Sequence, residues 1–296
     1  MKTIFIIGMT FTMWCTTYAQ QRTDELQQKQ VTLQNFHTVH VDQGITLEAM
    51  TGRTNEAVIK SHYLKYIQAE VKRDTLFITY DGFETGMINI SAPKTQVQLT
   101  AKSVTEWIAD SNANINIKGN FSTDNTTLSC SSGTIAYNDF NGKKLQINAS
   151  VGGKVKGNFK VNEAKINAVS GAEINADFES NKIMADASMG AQIKGKIKTD
   201  DLVLNVSNSG RANWEGTAKN TQIKADANSI ANLENLISSD VKITADSMAK
   251  VNCVVEKSLE VKASSMSKIR YKAVKNPITT TINKSSMATV EEVGRF

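Results

Sequence analysis

The sequence is poor in the residues that interrupt, bridge or ligate. Only two prolines occur in 296 residues, so few positions force a break in regular structure. With 40% apolar residues, such a chain can bury a large core. The three histidines, His37, His40 and His62, all fall in the first quarter. None is paired with a Cys or Asp at metal-ligand spacing, and they read as surface residues. No Gly-rich phosphate loop, nucleophile elbow or HExxH motif is present. Past the start of the chain, no apolar run is long enough to cross a bilayer. The net charge of +5 is spread along the chain, without the concentrated basic footprint of a nucleic-acid partner.

What the sequence does contain is a repeat of about 19 residues, from Leu128 to Val290. Ile147-Asn-Ala149, a polar turn and Val155 recur as Ile166-Asn-Ala168, turn, Ile174. The frame continues through Ala185/Ala187/Ile193, Leu204/Val206/Ala212, Ala225/Ala227/Leu233, Ile243/Ala245/Val251 and Val261/Ala263/Ile269, and weakly through Ile282/Lys284/Val290. Backwards it reaches Leu128/Cys130/Ile135 and then Leu99/Ala101/Trp107. Apolar and polar residues alternate within each frame, as in a strand with one buried face. A repeat this short fits one turn of a solenoid.

The expected fold is all-β, a right-handed parallel β-helix of about ten coils. Parallel strands stack at about 4.8 Å. Ala149, Ala168, Ala187, Val206, Ala227, Ala245 and Ala263 form one column, facing the bulkier column of Val155, Ile174, Ile193, Ala212, Leu233, Val251 and Ile269. Turns such as Val151-Gly-Gly153, Ser170-Gly171 and Ser209-Gly210 supply glycine where the chain bends sharply. Later turns read Ser247-Met248, Ser265-Met266 and Ser286-Met287. Their methionines are expected to fill space at a corner, the alternatives being a ligand or an oxidation sensor. Cys130 and Cys253 lie six coils apart, nearly 30 Å. That is beyond the ~7 Å limit for bridging, so both are expected as separate buried thiols.

Four segments follow. Residues 1–19 read as a signal peptide: Lys2, the apolar stretch Ile4–Trp14 and the cleavage site Thr17-Tyr-Ala19. Residues 20–30 are a polar, frayed spacer. Residues 31–93 form an antiparallel opening layer capping the first coil. Its first hairpin turns at Asp42-Gln-Gly44, its second at Lys72-Arg-Asp74, and a strand at Met87–Ile90 ends at Pro93. Residues 94–296 are the β-helix. The final coil has no evident cap, which leaves an end-to-end homo-oligomer as one option.

The order of these features resembles the head GIN domain family: Phe36-x-x-Val39-x-Val41, Gly44-Ile45-x-Leu47, Leu76-x-Ile78, Ile88-x-Ile90-x-x-Pro93, then Ser-Gly coils. Its members are auto-transporter adhesins exported by Bacteroidetes-type bacteria. The resemblance covers Val31 to about Val290. It implies a right-handed β-helix and a cell-envelope role, periplasmic, outer-membrane or extracellular, with no catalytic residues to carry over. The chain departs from the pattern after Gly210, where Ser-Met or Asn-Ser replaces Ser-Gly.

The candidate ligand-contacting face is one outward column, Asn148, Asn167, Asp186, Asn205 and Asp226. It could meet sugar hydroxyls or a metal ion, or be a solvated ladder. Two acids there, about 10 Å apart, are at the long end for an inverting carboxylate pair. A second column, Tyr137, Trp214 and Tyr271 with Gly157, Ala176 and Gly195, reads as inward and space-filling. Lys154, Arg211, Lys250 and Lys268 form a loosely basic exposed stripe. The reading is a non-enzymatic exported adhesin or glycan-binding protein with a glycan or cell-surface partner and no cofactor. A polysaccharide-active enzyme and a structural component are the alternatives.

Overall fold

The computed structural model describes residues 26–81, 95–121, 123–275 and 277–294. The expected leader over residues 1–19, and the strand expected over Met87–Ile90, fall outside the described residues. Those residues hold twenty strands, one 3-10 turn at Leu64–Tyr66 and no α-helix. None of their helical structure is long and apolar enough to cross a membrane.

The chain begins with β1 (Gln27–Thr32), β2 (Thr38–Val41), β3 (Thr46–Thr51), β4 (Glu56–Ser61), β5 (Ile67–Lys72) and β6 (Thr75–Tyr80). After the gap come β7 (Gln96–Ala101), β8 (Glu106–Asp110), β9 (Asn114–Ile117) and β10 (Asn125–Ser131). Seven long strands follow: β11 (Thr134–Ser150), β12 (Lys154–Ala168), β13 (Glu173–Ala187), β14 (Gln192–Val206), β15 (Arg211–Ala225), β16 (Ile230–Ala245) and β17 (Lys250–Ala263). The chain closes with β18 (Lys268–Ala273), β19 (Thr279–Lys284) and β20 (Thr289–Glu292).

From β8 onward each strand pairs in parallel with its equivalent one coil later. The result is a β-solenoid of about ten turns. Strand residues alternate between a buried and an outward position, as in β12 and β14. Stacking therefore closes one continuous core running the length of the chain.

Parallel pairing also embraces the opening residues. β2 pairs in parallel with β6 and β8, and β3 with β7 and β9. The expected hairpin at Asp42-Gln-Gly44 is therefore two successive sides of one coil, because each strand bonds to the layers above and below it rather than to the other. The second expected hairpin is present, with β5 antiparallel to β6. β4 lies antiparallel between β1 and β7. Gln27–Thr32, expected in part as a frayed spacer, is thus a paired strand.

The coils are joined by tight turns, and from Val151-Gly152 to Ser265-Met266 these are alike despite their varied sequences. The amide three residues on donates to the first residue's carbonyl, as in Ala191 N to Ser188 O at 3.1 Å and Ala249 N to Asp246 O at 3.0 Å. Both central residues have positive φ: Met189/Gly190, Asn208/Ser209, Ala227/Asn228, Ser247/Met248 and Ser265/Met266. This is type I′ geometry. Successive turns bond to one another, Gly171 N to Met189 O at 3.0 Å and Met248 N to Ser265 O at 2.9 Å. The stack thus holds Ser247-Met248 and Ser265-Met266 in the same shape as Ser170-Gly171, while Ser286-Met287 lacks the positive-φ pair.

The turns correct the repeat frame. Ala225 pairs with Val206 and Ala245, and Ala231 with Ala212 and Val251. Ala227 is a turn residue and Leu233 belongs to the next column, opposite Cys253. At the start, the frame is Trp107/Ala109/Ile115, in register with Leu128/Cys130 and Ile135, and not Leu99/Ala101/Trp107. A pattern of period two looks the same when slid by two residues, so alternation alone left the register open.

Gly133, Gly153 and Gly210 sit just after the turn pair and are needed for space. An added Cβ would lie 2.7, 2.3 and 2.2 Å from the carbonyl oxygens of Ala109, Cys130 and Ala187. At the bend the buried Thr199 hydroxyl shares its proton between the carbonyls of Asn181 and Asp201, both at 3.2 Å. Cys130 and Cys253 are free and buried, as the coil separation predicts. Burial pushes both thiols up, Cys253 to about 12.

Candidate functional site

The outward columns are laid down by strand register, so each is a straight file of side chains one coil apart. Asn148 pairs with Asn167, Asn167 with Asp186 and Asp186 with Asn205. Asn205 Nδ2 donates to Asp186 Oδ1 at 2.7 Å. The next member is Lys224, not Asp226. Asp226 begins the following turn, its carbonyl accepting from Ser229 N at 3.1 Å. The expected pair of carboxylates on one file is therefore not formed. The four-residue file Asn148–Asn205 stands, as a half-buried row of amides around one acid.

Register also assembles a file the sequence reading passed over. Asp201, Asn220, Asp240, Ser258 and Thr279 follow one another across β14 to β19. Asn220 Nδ2 donates to Asp201 Oδ1 at 2.8 Å, and Ser258 Oγ donates to Asp240 Oδ1. With the neighbouring Lys242 and Glu260, paired at 2.9 Å, this file lines a groove of about 660 Å³. The signal was present in the spacing, three residues after each coil's bend.

A second groove of about 660 Å³ lies on the other side of that bend. Asn141, Lys160, Glu179, Lys198 and Thr217 run along it in register. Glu179 is shared by Lys160 at 3.5 Å and Lys198 at 3.7 Å, Asp200 meets Lys219 at 2.6 Å, and Glu256 meets Lys275 at 2.9 Å. Both grooves follow the solenoid axis. They offer alternating donors and acceptors about every 4.8 Å, a spacing suited to an extended polymer.

Neighbouring donors hold four carboxyls in their charged form. The carboxyls that are perturbed, Glu173, Asp246, Glu256 and Glu260, all lie below their ordinary values. The causes are hydrogen bonds from Lys194, from Ser265, from Lys275 and from Lys242 respectively. A general acid working at neutral pH needs the opposite shift.

The other expected positions fall as follows. Tyr137, Trp214 and Tyr271 are buried and inward, in register with Gly157 and Ala176, with Gly195, and with Leu233 and Cys253. Lys154, Arg211, Lys250 and Lys268 share an outward file, but Glu173, Gln192 and Ile230 interrupt it. Two histidines are not bare surface groups. His37 Nδ1 lies 2.9 Å from Asp74 Oδ1 and His40 Nε2 3.0 Å from Asp110 Oδ2, pairings made by chain segments distant in sequence. Among the described residues no group of three or more His, Cys, Asp or Glu is placed to hold a metal ion.

No curated protein matches the chain. The crystal structure of a "putative adhesin" from Parabacteroides distasonis ATCC 8503 is similar to it, at 16% identity and a TM-score of 0.52, covering 92% of this chain and 98% of that one. Another "putative adhesin", from Parabacteroides merdae ATCC 43184, aligns over 92% and 97% at 17% identity, with a TM-score of 0.45. At these identities only the first likeness speaks, and it speaks to fold. The family described as "Putative auto-transporter adhesin, head GIN domain" matches residues 35–178 and 173–274. That match spans most of the 296 residues, and the chain belongs to the head GIN domain family.

Proposed function

We propose that this protein is a non-enzymatic, exported adhesin of the cell envelope whose solenoid face binds an extended glycan. The observation carrying the reading is the pair of axial grooves flanking one bend, with the files Asp201–Thr279 and Asn141–Thr217 along them. Hydroxyl-rich chains are recognised by such rows of amides, hydroxyls and charged pairs, each contact contributing about 1 kcal/mol. The file Asn148, Asn167, Asp186 and Asn205 adds a parallel row. Export is supported by the leader-like first nineteen residues, and adhesion by the family. The test is a glycan array on the protein, followed by titration of any hit. Asn220→Ala is expected to weaken binding about fivefold. Turnover of an acidic polysaccharide that is lost in Asp186→Ala or Asp226→Ala would overturn the reading in favour of an enzyme.

One observation favours a structural or assembly role as second reading. β19 and β20 each pair on one side only among the described residues, with β17 and β18, and every residue of β19 is exposed. An open parallel edge is a template for another chain. Sedimentation giving a strictly monomeric mass across concentration would dismiss end-to-end assembly.

A further inference from the structure

Three successive turns at the C-terminal end carry methionine at the same position. Met248, Met266 and Met287 each lie two residues before the file Lys250, Lys268, Thr289, whose members pair in register. The first two of these turns are bonded together, Met248 N to Ser265 O at 2.9 Å, and the third closes through Ala288 N to Ser285 O at 3.1 Å. These side chains do not fill the corner as expected from sequence: they are 45%, 57% and 65% exposed. Met248 and Met266 also hold left-handed backbone, with φ of 62° and 60°. Glycine serves the same position upstream at Gly152, Gly171 and Gly190. Neither packing nor backbone geometry calls for methionine there, and an exposed row of thioethers is the outcome.

We propose that Met248, Met266 and Met287 form a binding site for a soft monovalent cation, Cu(I) or Ag(I), held by three thioether sulfurs. Neutral, polarisable sulfur selects Cu(I) over the harder divalent ions, which want imidazole, carboxylate or carbonyl oxygen. Adjacent turns are about 4.8 Å apart and the outer two about 9.6 Å. Methionine's three rotatable bonds let the outer sulfurs converge on the central one. The carboxylate of Asp246, which opens the Met248 turn, lies beside the row. It accepts hydrogen bonds from Ser247 N at 2.7 Å and Ser264 Oγ at 3.0 Å, so a fixed negative charge stands close to the cation. The two thiols do not compete, being buried in the core. The site is independent of the glycan reading, since it lies at the turns and not in the grooves.

The test is a competition titration of the full chain with Cu(I) against a chromophoric Cu(I) chelator, with Ag(I) followed through the methionine methyl signals in NMR. One equivalent of metal is expected, with three methyl resonances moving together. Met266→Gly is expected to weaken binding at least tenfold. This variant restores the residue used by the upstream turns, so it folds, which circular dichroism checks. Met189, exposed on a turn but alone in its file, serves as control, and Met189→Gly should bind as the parent does. Equal affinity in the parent and in the triple glycine variant would overturn the proposal. So would equal Ag(I) shifts at Met189, which would mark unspecific thioether binding. Adsorption to lipid vesicles that depends on the three methionines, without metal uptake, would assign the ridge to apolar contact instead.

Discussion

Gly195 has φ of +140°, and an added Cβ would sit 2.0 Å from the Ala176 carbonyl oxygen. Gly195→Ala should therefore cost about 2–4 kcal/mol, from strained backbone and a displaced neighbour; denaturant unfolding measures it. Met266 gives the opposite sign. Left-handed backbone costs a residue with a Cβ roughly 1 kcal/mol, and its exposed side chain returns little. Met266→Gly should raise stability by roughly 0.5 kcal/mol once the freer unfolded chain is counted, and a lowered unfolding midpoint would contradict this. At this scale the sequence was partly legible. Spacing put Gly195 and Trp214 in one inward file, but spacing carries no dihedral angle. It could not say that Gly195 is required while its file-mate Ala176 is not. Nor could it show that Met248 and Met266 point outward, because a turn residue has no partner in the alternation that sorts strand residues into faces.

Strands and turns were read well wherever the period of two was anchored by something else. Between Leu128 and Ala212 the columns were correct because glycine or serine marked each turn. Past Gly210 that marker goes: Asp226-Ala-Asn-Ser229 makes the same turn without glycine, and the frame slid by two residues. The slip moved Asp226 into the candidate file, where Lys224 stands. The grooves were hidden for a related reason. They form where the long strands bend, and a bend angle leaves no mark in the alternation. The hairpin misread at Asp42-Gln-Gly44 shows that a type I′ turn joins successive sides of a coil as readily as paired strands. The inward aromatic file supplies a test at this scale. Trp214 is buried, and its indole NH has no hydrogen-bond partner among the described residues. Trp214→Ala should cost about 3–5 kcal/mol through the cavity it leaves. Trp214→Phe should cost far less, since no hydrogen bond is lost, and equal costs would deny that volume is what matters there.

Over the whole molecule, the solenoid was legible from the repeat alone, whereas in the chain's opening only the hairpin of β5 and β6 was. The parallel partners of β2 and β3 lie far along the chain, where local pattern cannot reach. Charge acts at this scale as well. Glu173, Glu256 and Glu260 are held below the ordinary glutamate value of 4.5 by lysine partners in adjacent coils. Depressed carboxyls bind fewer protons folded than unfolded, so their contribution is complete above about pH 4.5 and fades as pH falls through the lower folded values. Melting temperature should hold steady from pH 7 to about 5 and decline below 4.5, with a shallower decline in Lys242→Met.

The bonds that tie coil to coil all lie along the long axis. Tension applied between the two ends would open them a few at a time instead of shearing a whole sheet at once. One coil of 19 residues would then pay out about 60 Å of slack as it lets go. A solenoid built this way would yield step by step under drag, lengthening without parting. Force spectroscopy should record a low, regular staircase, and a single abrupt rupture would rule the behaviour out.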